Sequence, residues 1–484
     1  MQDHQETSGE DVAATGATGL RRGLRQRHLT MIALGGIIGA SLFIGSGAVI
    51  HTAGPSAVVS YVIGGAIVVI VMRMLGEMAS ARPALGSFME YARESLGDWA
   101  GFTVGWLYWY YWVGVVAFEA VAGGKILSAW TGLPSWIFAL ILMLVLTGTN
   151  LISSRSFGET EFWLASIKVT TIVVFLVVGA LFVLGLWPHA HFSVGNIAQD
   201  GFFAKGGFSV IHGVVLVIFS YFGAEIVTMA AAETKADPGR AVAKATNTVV
   251  WRVLLFYVGS VALLVMITPW AQIPSETSPF AAAFGRFGLP AAEQVMNVVV
   301  LTAAVSVLNS GLYSASRMLF ALRRHGWAPN WIGDTSRRGV PWKAILLSTV
   351  VGYVAVVMNY VSPDKIFYFI INSAGAIALF VYGMIALSQL RMRGKLEREA
   401  PERLKLRMWL HPWLGIVALV VMVAVLASMW FVDDDSRSQL GLSLVSLVAI
   451  LVLYQVVAPR ARRLTAQRAA SRAPAADAES GPGS

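Results

Sequence analysis

The stretch Gly35-Gly36-Ile37-Ile38-Gly39-Ala40-Ser41-Leu42-Phe43-Ile44-Gly45-Ser46-Gly47 is apolar enough to lie inside a membrane but too rich in glycine to stay one continuous helix. Each interior glycine weakens a helix by about 1 kcal/mol relative to alanine. A span centred near Ile38 is therefore predicted to unwind near its middle. A second stretch, Phe219-Ser220-Tyr221-Phe222-Gly223-Ala224-Glu225, places a glycine and an acid in the middle of another apolar run. Lipid cannot hydrogen-bond freed N–H and C=O groups, so unwound backbone at membrane depth persists only where it lines a cavity. Two such stretches predict a polar site within an apolar protein.

The surrounding chain supports a membrane setting. Of its 484 residues 56% are hydrophobic and only 13% charged, too few charges for a water-facing surface. Apolar runs of about 20 residues, enough to cross a bilayer as helix, recur along the sequence. Twelve spans are read, centred near Ile38, Val68, Tyr110, Leu142, Val174, Phe219, Ala262, Val305, Tyr353, Leu379, Val421 and Leu447. The fold class is thus all-α integral membrane. An even number of spans puts both termini on one side. Basic clusters Arg21, Arg22, Arg25 and Arg27, then Arg323, Arg324, Arg337 and Arg338, then Arg391 through Arg407, then Arg460, Arg462 and Arg463 all fall on that side. The bias of such clusters toward the cytoplasm makes both termini cytoplasmic. Met1–Leu20 has no apolar h-region, so no cleavable signal is expected.

Spans one and six would enter from opposite sides, so spans one to five and six to ten would form an inverted repeat built on discontinuous helices 1 and 6. The predicted organisation is a disordered cytoplasmic segment at 1–28, a transporter domain at 29–460 and a disordered cytoplasmic tail at 461–484. Within the domain, repeat one covers about 29–190, repeat two about 205–395, and the two extra helices about 409–458. Between spans two and three, Gly86–Asp98 mixes Phe88, Tyr91 and Leu96 with Glu90, Arg93 and Glu94, as an interfacial helix does.

The half-helix beginning near Ser41 would turn its free N–H groups and positive dipole end toward a carboxylate. The half-helix ending near Phe222 would present carbonyls to an ammonium group. A zwitterionic amino acid satisfies both, an arrangement known from transporters with broken helices. The plainer alternative is that the glycines serve close helix packing. A charge at mid-bilayer costs about 2.5–3.5 kcal/mol on insertion scales, so Glu119, Lys168 and Glu225 each call for an explanation. Lys168 either carries the coupling proton or snorkels to the interface. Glu225 stays protonated, bonds the freed backbone or faces a substrate ammonium, or else only caps the second half-helix, and Glu119 either lines the pocket or makes a structural bond. Lys125 reads as a snorkelling residue, and Arg73 with Glu77, one turn apart, as a local ion pair.

Several motifs give the chain a resemblance. They are Ile38-Gly39-Ala40-Ser41-Leu42-Phe43-Ile44-Gly45-Ser46, Ala53-Gly54-Pro55, Gly76-Glu77-Met78-Ala79 with Pro83, and Glu159-Thr160-Glu161-Phe162-Trp163 with Lys168. Phe219 to Glu225, and Leu308-Asn309-Ser310 with Tyr313, Ser316 and Arg317, continue the series. In this order the chain resembles bacterial amino acid permeases of the amino acid-polyamine-organocation superfamily from about Leu24 to Arg460. Met72-Arg73-Met74-Leu75, Gly105 to Trp109, Thr228 to Glu233 and Asn372 to Ile377 are most similar to the 4-aminobutyrate (GABA) permease branch. The resemblance implies a LeuT-like five-plus-five fold and proton-driven uptake of an amino acid across the cytoplasmic membrane. It implies a carboxylate bound by backbone around Gly39, Ala40, Ser41 and Leu42, an amine bound by carbonyls of Phe219, Ser220 and Phe222, and proton coupling at Lys168. Ile38, Gly223, Glu119 and Glu225 join the candidate substrate site on the reading of the breaks and buried charges above. Asn309 and Ser310 lie either near the coupling site or serve as interhelical hydrogen-bond partners. Permeases for aromatic amino acids, proline or lysine share much of this frame, and an exchanger on the same fold stays open.

Other classes fit less well. With no cysteine there is no disulfide framework, thiolate metal site or thiol nucleophile. No catalytic constellation such as His-Glu-x-x-His is present, so an enzyme is not expected. The net charge of +9 resides in short clusters between apolar spans, where it orients the protein in the membrane rather than binding nucleic acid. No metal or cofactor is expected; the expected partners are a small amino acid, a proton and the lipid bilayer. Oligomeric state is not written in the sequence.

Overall fold

The computed structural model describes residues 24–84, 86–188, 190, 195–198, 200–234, 242–243, 254–273, 278–289, 291–361, 376–432 and 434–470. Among these the structure is helical, with a lone bridge between Leu24 and Thr234 in place of any strand. Eight helical stretches are long and apolar enough to cross a membrane: Ala40–Ala81, Asp98–Thr131, Ser135–Ile152, Ser154–Val183, Ser209–Ala230, Gln294–Arg324, Trp413–Phe431 and Ser436–Ala461. Two shorter apolar helices, Leu254–Ile267 and Trp342–Met358, accompany them.

The first break divides α1 (Gln26–Gly35) from α2 (Ala40–Phe43), and α3 (Gly45–Ala53) continues toward α4 (Ala57–Ala81). Ile38 lies in the gap itself. Next come α5 (Phe88–Leu96), α6 (Asp98–Thr131), α7 (Ser135–Ile152) and α8 (Ser154–Val183). The second break lies between α9 (Ser209–Tyr221) and α10 (Ile226–Ala230). A π-helical turn, Leu254–Gly259, runs into α11 (Ser260–Ile267), followed by α12 (Pro279–Arg286) and α13 (Ala292–Arg324). The chain ends with α14 (Trp342–Val361), α15 (Ile377–Glu399), α16 (Trp413–Val432) and α17 (Asp434–Ala470).

Burial separates interior helices from peripheral ones. Most of the apolar window in α9 and α10 is buried (78%), against 17% in α17. On α17, Val445, Val448, Val452 and Val456 recur at helical spacing and stay more than half exposed. An apolar stripe of this length with no protein against it suits lipid, not water. The long helices α6 and α13 pack together through the centre, α1 lies on α8, and α9 lies on α4. The two broken segments are thereby enclosed by uninterrupted helices.

Several expectations change in detail. Leu379 falls near the start of α15 rather than its middle. The motif positions Asn372–Gly375 lie outside the described residues. α17 runs past Arg460 to Ala470, into the stretch at 461–484 read as a tail, since Ala, Arg and Gln sustain helix well. Residues 471–484 and 1–23 are outside the described residues. The interfacial segment forms α5, with Phe88, Met89, Tyr91 and Ala92 buried.

Spacing pointed to a local Arg73–Glu77 pair, but each residue takes partners from outside α4. Glu77 is bonded to Arg393, to Gln389 Nε2 at 2.8 Å and to the Met408 N–H at 2.5 Å. Arg73 Nε donates to Arg407 O at 2.9 Å, with its guanidinium over the Trp409 ring. A fully buried carboxylate needs partners in the dry interior, and those are supplied by α15 and the segment after it.

Candidate functional site

The two breaks meet. Gly223 has φ +124°, a conformation that L side chains rarely adopt. A Cβ placed there would lie 2.2 Å from Gly36 O. A Cβ on Gly36 would in turn lie 3.1 Å from Gly223 O. Glycine is required at Gly223 both for its dihedral angles and because the backbone of the other break passes directly beside it.

At the first break the chain runs extended through Gly39, with φ −110° and ψ −168°, before α2 begins at Ala40. Not every amide here is free. The Leu42 N–H returns to Gly39 O at 3.2 Å and the Ile38 N–H to Leu34 O at 3.2 Å. The Leu42 amide, expected among the free donors, is therefore already engaged, whereas its side chain is buried. A Cβ on Gly39 would lie 2.8 Å from Val307 Cγ2 and 3.2 Å from Glu119 Oε1. Thus α6 and α13 bring Glu119 and Val307 onto the break.

At the second break the Gly223 N–H donates to Glu225 Oε2 at 3.0 Å, and Tyr382 Oη donates to the same oxygen at 3.2 Å. Glu225 thus holds its own loop and still has a second oxygen, Oε1, buried without a partner. Glu119 Oε2, Ser220 Oγ, Tyr108 Oη and Trp112 Nε1 are likewise buried and unpartnered. Buried polar atoms are nearly always satisfied in folded proteins, so these side chains are candidates to receive a polar ligand. Phe222 packs 4.4 Å between ring centroids from Tyr111, 5.0 Å from Tyr382 and 5.8 Å from Tyr108. Phe219 packs at 5.9 Å from Tyr111.

Lys168 is fully buried on α8. Its Nζ donates to Gly35 O at 2.7 Å, Ile38 O at 2.6 Å and Ser306 Oγ at 2.8 Å. Three donors meeting three acceptors is the pattern of an ammonium group. Two of those acceptors are backbone carbonyls around the first break, so Lys168 does not snorkel; it replaces hydrogen bonds that the broken helix has lost. Asn309 Nδ2 lies 3.4 Å from Glu161 Oε2, and Asn150 Nδ2 donates to Asn309 Oδ1 at 2.9 Å. Ser310 is buried on the same helix with its hydroxyl unpartnered.

The sequence reading passed over three features. Tyr257, in the π-helical turn before α11, has its hydroxyl 2.8 Å from Ile37 O and 3.1 Å from Ser220 O, touching both breaks. A phenol within the apolar run Leu254 to Val258 was the available signal. Glu161 accepts from Ser306 Oγ at 2.5 Å. The motif Glu159 to Trp163 contains it without a role, although a residue seven before Lys168 shares its helix face. Thirdly, Glu233 and Arg317, both fully buried, pair at 2.9 Å. Tyr313 Oη donates to the same Glu233 oxygen at 2.9 Å, and Ser154 Oγ bonds to the other. No group of His, Cys, Asp or Glu among the described residues is arranged to hold a metal.

Apolar helices enclosing a polar site built from two helix breaks define a multi-pass membrane transport protein. Comparison with known proteins gives the family. The amino acid permease family model matches residues 28–467, and the chain belongs to that family. It is 49% identical to the gamma-aminobutyric acid permease of Bacillus subtilis, over 94% of this chain and 97% of that one. It is 42% identical to the gamma-aminobutyric acid permease of Escherichia coli K12, over 90% and 94% of the two chains. Identity to an aromatic amino acid transport protein of Corynebacterium glutamicum is 40%, over 91% and 95%. The family is one of transporters, so the chain moves an amino acid across a membrane and is not an enzyme.

Proposed function

We propose that this permease imports 4-aminobutyrate, driven by a proton gradient across the cell membrane. The observation that carries this reading is the meeting of the two breaks at Gly36 and Gly223, with Lys168 bonded to Gly35 O and Ile38 O. The names of the relatives from Bacillus subtilis and Escherichia coli supply the substrate. Its carboxylate lies against the backbone of Gly39, Ala40 and Ser41, with Ile38 and Leu42 bounding this end. Its ammonium lies against the carbonyls of Phe219, Ser220 and Phe222 and the carboxylate of Glu225, with Gly223 allowing the close approach and Glu119 lining the pocket at the first break. Ser220 O also takes Tyr257, and Phe219 O also takes the Phe222 N–H at 3.4 Å. A carbonyl has a second lone pair, so both still accept from a ligand.

On this reading Lys168 holds the coupling proton, with Asn309 and Ser310 beside it. Twelve spans form a LeuT-like fold from a repeat at about 29–190 and an inverted repeat at about 205–395, in which one bundle rocks against the scaffold. The helices at about 409–458 stand outside them. Both termini, including the segments at 1–28 and 461–484, face the cytoplasm. Alternating access then carries substrate and proton inward together.

The test is uptake of radiolabelled 4-aminobutyrate into proteoliposomes under an imposed inward proton gradient, with a competition panel of aromatic amino acids, proline and lysine. Accumulation that collapses with the gradient and in Lys168→Ala supports the reading. Gradient-independent uptake rejects symport in favour of facilitation or exchange, and preference for a panel member rejects 4-aminobutyrate alone.

A further inference from the structure

Lys168 and Glu161 lie seven residues apart on α8, so both project from nearly the same face, about 10 Å apart along the axis. Both are fully buried, as is Ser306 on the facing helix α13. Lys168 Nζ donates to Ser306 Oγ at 2.8 Å, and Ser306 Oγ donates to Glu161 Oε1 at 2.5 Å. One hydroxyl therefore receives a hydrogen bond from the ammonium and gives one to the carboxylate. The other carboxylate oxygen, Oε2, is fixed by Asn309, which is held in turn by Asn150. A Cβ placed on Gly35 would lie 2.0 Å from Glu161 Oε1, so this carboxylate sits directly against the end of α1.

We propose that Glu161 is the second proton-carrying residue of the coupling site and that Ser306 relays the proton between it and Lys168. The inference rests on the reading of this protein as a proton-driven importer and deepens it. In the transfer, an N–H bond of the Lys168 ammonium breaks as a new O–H bond forms on Ser306. The original Ser306 O–H bond breaks as an O–H bond forms on Glu161 Oε1. The products are a neutral amine, an unchanged hydroxyl and a neutral carboxylic acid, with no net change in charge.

The mechanical consequence follows from counting donors. The ammonium fills three acceptors, but the neutral amine has only two N–H bonds. Those two stay on Gly35 O and Ile38 O while the reset Ser306 O–H donates to the amine lone pair, so what the first break loses is the positive charge behind its two hydrogen bonds. Proton transfer to Glu161 thus turns two charge-assisted bonds between α8 and the first break into weaker neutral ones. The other charged groups nearby are few. Glu119 on α6 is the second carboxylate whose field reaches Lys168. From α1, His28 packs on Gly158 and pairs with Glu159 at 3.2 Å, toward the start of α8. α13 contributes the polar groups of Ser306, Asn309 and Ser310, α7 that of Asn150.

The experiment compares two rates in proteoliposomes for wild type, Glu161→Gln and Ser306→Ala. One is uptake of radiolabelled 4-aminobutyrate driven by an inward proton gradient; the other is exchange of labelled for unlabelled substrate without a gradient, which moves no net proton. The relay predicts that gradient-driven uptake falls about a hundredfold in Glu161→Gln and about tenfold in Ser306→Ala, with exchange reduced less than about threefold in both. It also predicts that the pH dependence of exchange flattens in Glu161→Gln. Equal loss of both rates marks a structural role and overturns the proposal, as does undiminished gradient-driven uptake in either variant. If Glu161→Gln fails to fold, Ser306→Ala decides alone, because it removes one oxygen and leaves both ionisable groups. Failure of the symport reading is seen separately, as wild type that exchanges but never accumulates substrate, and that result removes the relay too.

Discussion

Gly223 and Gly36 face each other across the junction of two interrupted helices with no room for a side-chain carbon between them. A Cβ on Gly223 would meet Gly36 O at 2.2 Å, and the φ of +124° at Gly223 is itself adverse to any L residue. Gly223→Ala is therefore expected to lose uptake entirely and to destabilise the fold by about 3 kcal/mol or more, from backbone strain and the clash together. Thermal unfolding in detergent alongside proteoliposome uptake checks both; an alanine variant with wild-type uptake refutes the close approach.

Tyr257 joins the breaks through a single hydroxyl. Removing it in Tyr257→Phe leaves Ile37 O and Ser220 O without that donor while keeping the ring against Tyr221, 4.5 Å away between centroids. The expected cost is about 1–3 kcal/mol. Because both carbonyls belong to the broken segments, uptake should fall about tenfold or more, with little loss of folded protein. Unchanged uptake kinetics in Tyr257→Phe would show that the hydroxyl has no part in transport.

Arg317 is buried with Glu233, and its guanidinium also lies over the Tyr313 ring, which stacks on Phe157 at 4.0 Å. Arg317→Met leaves a buried carboxylate without its counter-charge and is expected to cost about 3–5 kcal/mol. The double change Arg317→Met with Glu233→Gln removes both charges and should recover much of that loss. A double-mutant cycle by thermal unfolding measures the coupling; additive effects would show that the pair is not energetically joined. Glu233 O also accepts the Leu24 N–H at 3.2 Å, so the same cluster anchors the start of the described chain.

Outside the spans, Glu90 on α5 pairs with His325 at the end of α13 and with Arg93 at 2.9 Å. Burial pushes the Glu90 carboxyl up, but the hydrogen bond and charge of His325, followed by Arg93, outweigh it and hold the group below the ordinary glutamate range. A carboxyl whose folded value is depressed adds stability above its unfolded value and loses it as pH falls through the folded one. The melting temperature of wild type should therefore exceed that of Glu90→Gln near neutral pH. The gap should close as pH drops below about 4.5, the unfolded reference for glutamate. A gap independent of pH would assign Glu90 a packing role only.

The sequence by itself determined that the protein is helical and membrane-embedded, because apolar run length and scarcity of charge are properties of the chain alone. It also located both breaks within a residue or two, since glycine density weakens helix wherever the segment is later placed. It singled out Lys168, because a charge in an apolar run is costly in any fold. The tertiary structure decided what those features touch. Only packing reveals that Gly36 and Gly223 meet, that Tyr257 reaches both Ile37 O and Ser220 O, or that Glu77 bonds to Arg393 rather than resting on a helical neighbour. Side-chain hydrogen bonds between residues 130 or more positions apart, such as Lys168 to Ile38, depend on how whole helices are arranged, and no local propensity encodes that. Glu161 marks the boundary between the two: its shared face with Lys168 was legible from a spacing of seven, whereas the hydroxyl that links them comes from α13, 138 residues beyond Lys168.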